Sequence, residues 1–128
     1  MHDYFLVAVP SNAPGGLNVS PHLHFGHCDS YTIALVNDRT IIDVVIEPNE
    51  SHELGKCLSH VRKIASMGVK VLIVGKISML PYHAMRGMGI NVYYGSGFAT
   101  VRDALQAFIN GQLHAYDEKH LCPRHILS

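Results

Sequence analysis

The sequence is short of cysteine, has no surplus of charge and has no long apolar run, and each shortage removes a class of function. Three cysteines in 128 residues, Cys28, Cys57 and Cys122, make neither a CxxC pair nor the even, regular set of a disulfide framework. They are too few and too scattered for the four-thiolate shell of a permanent iron–sulfur cluster, and without a CxxxCxxC run radical S-adenosylmethionine chemistry is not expected in this chain. A reducing, intracellular setting, the cytoplasm, is the simpler expectation. Ten Lys and Arg balance ten Asp and Glu, so there is no electrostatic footprint for nucleic acid or an anionic membrane. No apolar run approaches the roughly 18 residues of a membrane span, and the N-terminal residues lack the basic start of a signal peptide. A GxSxG elbow, an HExxH helix, a Walker A loop and a full dinucleotide fingerprint are missing too, and Gly95-Ser96-Gly97 alone is only a turn. No enzymatic activity is expected.

What is present is one compact domain's worth of apolar residues, 48% of the chain, within the usual domain size. Residues 4–9 form an uninterrupted apolar run closed by Pro10, the mark of a strand buried on both faces. Pro14-Gly15-Gly16 is loop. Two β-branched runs, 31–36 and 41–46, flank the short polar stretch 37–40 and read as a hairpin. Leu54, Leu58, Val61, Ile64 and Ala65 then fall on one stripe of a helix that starts at Ser51 or His52 and ends near Gly68. Residues 69–74 read as a second buried strand, Pro81 as the first turn of a short helix, and 90–94 as a last strand. Thr100 and Asp103 resemble a capping box for a final helix terminated by Gly111. Helix-linked parallel strands after a hairpin imply a three-layer α/β/α domain around a mixed five-stranded sheet.

The chemistry concentrates in residues 20–29, directly after the first strand. His22, His24, His27 and Cys28 are borderline-soft donors, the kind that select zinc, copper and iron–sulfur species over magnesium or calcium. His22 and His24 are two apart, so extended backbone sends both rings the same way, and a bend at Gly26 brings His27 or Cys28 round to face them. The competing reading is a polar loop whose histidines cap backbone groups or meet water. In the tail, His114, His120, Cys122 and His125 have the donor spacing of a tetrahedral zinc or iron site, against the alternative of a disordered polar extension. Cys57, at helical spacing with Val61 and Ile64, reads as a small buried hydrophobe.

The residues resemble the dinitrogenase iron–molybdenum cofactor biosynthesis family, the small NifX-like proteins related to the C-terminal part of NifB. The matching positions are Ala8-Val9-Pro10, Ser20-Pro21, His24-Phe25-Gly26, Gly75-Lys76-Ile77, Gly89-Ile90-Asn91-Val92-Tyr93, Gly97, Thr100-Val101, Ala104-Leu105, Ala107-Phe108 and Gly111-Gln112-Leu113. The resemblance implies a ribonuclease-H-like fold without nuclease activity, and the carboxylates of a two-metal nuclease are indeed missing: Asp43 and Glu47 share one expected strand, while the first and fourth have none. It implies a domain over 1–113 that binds or carries an iron–sulfur or iron–molybdenum-type cluster, exchanging it with donor or acceptor proteins, and leaves 114–128 as a His/Cys-containing tail. Family members often carry histidine near position 52, which adds His52 to the candidates. Two departures stand out: His27-Cys28 replaces the arginine common after Phe25-Gly26, and Ser78 stands where a second glycine is usual. The alternatives are a zinc- or copper-responsive regulatory module using the same loop, and a paralogue that acts only through protein partners.

Overall fold

The computed structural model describes residues 4–49 and 57–117. In chain order its elements are β1 (Phe5–Ser11), β2 (Ser30–Val36), β3 (Ile41–Pro48), α1 (Cys57–Ser66), β4 (Val69–Val74), α2 (Met79–Gly87), β5 (Asn91–Tyr94), α3 (Val101–Ile109) and β6 (His114–Ala115). They build one mixed sheet in the order β3-β2-β1-β4-β5-β6. β1, β4 and β5 are parallel neighbours, while β2, β3 and β6 run antiparallel to theirs.

Alternation along the central strands sends side chains to two cores. Ala8, Leu72 and Val74 pack with Val61 and Ile64 of α1 and Tyr82 and Met85 of α2. Val7, Val9, Val71 and Ile73 face Val101, Ala104 and Leu105 of α3 on the other side. The unbroken apolar runs of β1 and β4 are thus explained by coverage on both faces, and the three-layer architecture is as expected. β3 is different, because it is an edge strand and leaves Ile42, Val45 and Ile46 exposed. α3 starts where expected: Thr100 accepts a hydrogen bond from the Asp103 N–H at 3.1 Å, and the Leu17 and Val19 carbonyls accept from the Arg102 and Val101 N–H groups.

The expected five strands become six, and the sixth lies at the start of the segment 114–128. His114–Ala115 pairs with Tyr93 and Tyr94, and Tyr116 is buried, its hydroxyl donating to the Gly75 carbonyl at 2.9 Å and its N–H to that of Val92 at 2.8 Å. A two-residue strand has no periodicity for a sequence to display. The start of the helix expected from 51 or 52, and the packing of the Cys57 side chain, lie outside the described residues.

Candidate functional site

The chain leaves β1 toward β2 on one side of the sheet and leaves β4 toward β5 on the other. Between the carboxyl ends of β1 and β4 there is therefore a switch point, the place where open α/β sheets hold ligands. The histidine loop fills it. Ser11 bridges to Pro21, and the His22 N–H donates to the Pro10 carbonyl at 2.8 Å. Farther along, His24 pairs in parallel with Lys76 just past β4: the Phe25 N–H donates to the Lys76 carbonyl at 3.0 Å, and the Lys76 N–H to that of Leu23 at 2.8 Å. Gly75 allows this approach, since a Cβ there would lie 2.7 Å from Leu23 Cδ1 and 3.3 Å from the Leu23 carbonyl oxygen.

This short strand-like pairing fixes the rings. His22 and His24 have centroids 6.2 Å apart, as expected for residues two apart in extended chain. Phe25 anchors the loop, 3% exposed and 5.5 Å from the Tyr31 ring. At Gly26, with φ of 85°, the chain reverses in a γ-turn closed by the His27 N–H on the Phe25 carbonyl at 2.8 Å. The reversal returns the His27 ring to 6.0 Å from that of His24, edge to face. His22, His24 and His27 are thus brought together, with His27 exposed and the others half-buried.

Cys28 is not among them. Next to outward-facing His27, it points inward and is 0% exposed within the core that includes Phe25 and Tyr31. Burial pushes its thiol up to about 11, against which hydrogen bonds from Tyr31, the Ser11 and Cys28 backbones and Asn49 favour the thiolate only in part. A thiol so held is protonated at neutral pH in the metal-free protein. His60, on α1, faces Phe25 and Tyr31 with its Nδ1 3.4 Å from the Tyr31 hydroxyl.

The electrostatics of the three rings are unequal. Partial burial, then the charges of His22, His27 and Lys76, hold His24 below the usual imidazole range. His22 engages the loop backbone through Nδ1, 3.0 Å from the His24 N–H and 3.2 Å from its carbonyl oxygen. Among the described residues no three His, Cys, Asp or Glu side chains converge as a ready-made ion site. His52, His120, Cys122 and His125 lie outside the described residues. His114 is exposed on β6, opposite Tyr94, at the same end of the sheet but two strand positions from β4, roughly 10 Å away by strand spacing.

Two residues of the site escape a reading of the sequence as a donor set. Lys76 brings a cation beside His24 through pairing that is non-local. Asn49, just past β3 and buried, bonds to the loop from beneath. For Lys76 the available signal was its position at the end of a buried strand.

Residues 5–111 match the model of the dinitrogenase iron-molybdenum cofactor family. The chain is similar to the apo form of the orange protein from Desulfovibrio gigas, with 22% identity and a TM-score of 0.73 over 87% of this chain and 92% of that one. It is similar to a putative NifB protein from Thermotoga, with 24% identity and a TM-score of 0.70 over 87% and 92%. A putative dinitrogenase from Methanocaldococcus jannaschii gives 19% identity and a TM-score of 0.71 over 90% and 97%. At such identities these structures establish the fold alone. No curated protein sequence matches the chain.

Proposed function

As this chain belongs to the dinitrogenase iron-molybdenum cofactor family, we propose that it is a non-enzymatic carrier or assembly protein for a labile iron–sulfur or iron–molybdenum-type cluster, received by His22, His24 and His27. The observation that carries the reading is the gathering of three imidazoles, with Lys76 beside them, at the switch point between β1 and β4. A polynuclear cluster brings its own bridging ligands and needs only a few protein donors at its periphery. A carrier must also release its cargo, and an incomplete imidazole shell, with no thiolate among its three rings, holds it reversibly. His24, kept neutral, is ready to ligate. Lys76 supplies fixed positive charge that attracts an anionic cluster. The cluster is cargo, exchanged with donor and acceptor proteins in a reducing cytoplasm, and the loop performs no reaction on it.

The test is anaerobic reconstitution with ferrous iron, sulfide and molybdate, followed by visible absorption and metal analysis of the desalted protein. Wild-type protein is expected to carry sulfide-to-metal charge-transfer bands, and a His24→Ala/His27→Ala variant of unchanged circular dichroism is expected to lose them. Uptake by the double variant equal to wild type would refute the assignment.

A further inference from the structure

Asn49 makes contacts out of proportion to its place at the end of an edge strand. It is 6% exposed. Its Nδ2 donates to the Gly26 carbonyl at 3.2 Å and to the Cys28 carbonyl at 2.8 Å, and its own N–H donates to the Asp29 carbonyl at 3.0 Å. The two carbonyls held by the side chain flank His27, so one amide group grips the backbone on both sides of the residue that turns its ring back toward His24. Its Oδ1 is buried and has no hydrogen-bond partner among the described residues. A side chain selected only to fill this space would be apolar or fully satisfied, because a buried, unpaired amide oxygen is destabilising. Both donors are instead spent on the turn.

We infer that Asn49 is a positioning residue of the histidine loop: its amide clamps the Gly26 and Cys28 carbonyls and thereby fixes the orientation of His27 for cargo. The inference rests on the carrier reading above. Because Cys28 is anchored in the core while His27 is exposed, the backbone between them is the lever that aims the ring. Releasing the clamp frees that lever without removing any ligand. Asn49→Asp keeps the shape, abolishes both donors and sets a carboxylate against two carbonyls.

The test compares Asn49→Asp with wild type and with Asn37→Asp. Asn37 makes a polar control because its Oδ1 only accepts, from the Arg39 and Thr40 N–H groups in the β2–β3 turn, a role aspartate keeps. Hydrogen exchange by NMR on the cargo-free protein is expected to show the Phe25 and His27 amides of Asn49→Asp exchanging at least tenfold faster while the amides of β1 and β4 are unchanged. Uptake in the iron, sulfide and molybdate reconstitution is expected to fall at least tenfold, with Asn37→Asp behaving as wild type. Wild-type exchange and uptake in Asn49→Asp would overturn the inference, as would uniform acceleration across the sheet, the mark of a merely structural residue. Should Asn49→Asp fail to fold, Asn49→Ala removes the same donors without adding charge and is judged by the same outcomes. Wild-type protein that takes up nothing overturns the carrier reading instead, and is distinguishable because the exchange measurement needs no cargo.

Discussion

Substituting alanine for Tyr116 removes a ring that is 4% exposed and lies 5.7 Å from the Tyr82 ring and 5.9 Å from that of Tyr94. Its hydroxyl donates to the Gly75 carbonyl at 2.9 Å, and its own carbonyl accepts from the Tyr82 hydroxyl at 3.3 Å. Truncating a buried aromatic residue to alanine costs about 3–5 kcal/mol, the spread reflecting how far the cavity collapses. Unfolding entropy of about 2.1 cal/mol/K per residue gives roughly 0.27 kcal/mol/K for a chain of 128 residues, so the melting temperature should drop by roughly 10–20 °C. Tyr116→Phe keeps the packing but leaves the Gly75 carbonyl without this donor, for a loss of about 1–3 kcal/mol. Urea denaturation followed by circular dichroism measures both, the midpoint falling at unchanged slope. The effect should reach the site as well, because Gly75 precedes the Lys76 that pairs with the histidine loop. A Tyr116→Ala protein within about 0.5 kcal/mol of wild type, the range of ordinary surface substitutions, would refute the view that the fold extends through Tyr116.

The remaining predictions concern the loop. Cys28, with its thiol pushed up to about 11, should resist iodoacetamide at pH 8 in the native protein and react once urea unfolds it, as followed by peptide mass spectrometry; native labelling at the rate of a free thiol would contradict its burial. Gly26→Ala forces a side chain into a φ of 85°, which should cost about 1–2 kcal/mol and lower cluster uptake, read by urea melts and by absorption after reconstitution. His24 titrates below the ordinary imidazole value, so the unfolded chain takes up this proton first: the stability due to its neutral ring is present above pH 6.5 and is lost as pH falls through that ordinary value toward the lowered folded one. Lys76→Gln should raise the His24 titration midpoint in an NMR titration, since one of the charges depressing it is gone; an unchanged or lower midpoint would refute the proximity of the two.

Much of this was legible in the sequence because it is written in local periodicity. The apolar runs that became β1, β2 and β4, the hairpin before β3 and the Thr100 cap all appear where their patterns lie. The i, i+2 spacing of His22 and His24 and the bend at Gly26 are local too, and they account for the closeness of three rings in the candidate site. Cys28 shows where such reading stops. Proximity in sequence to His27 suggested a shared site, but adjacent residues in this stretch face opposite ways, and the Cys28 side chain is buried in the core. Lys76 and Asn49 join the loop through hydrogen bonds across long sequence separations, which no periodicity announces. β6 is two residues long, and its worth lies in the tyrosine that follows it.

The most direct test of the account is to map where the cargo lands. In ¹H–¹⁵N correlation spectra of protein reconstituted anaerobically with iron, sulfide and molybdate, the largest shifts or paramagnetic losses should fall on residues 20–29 and 75–77, with β3 and the exposed face of α3 unaffected. Perturbations centred elsewhere, with the His22, His24 and His27 signals unmoved, would contradict the claim that this loop receives the cluster.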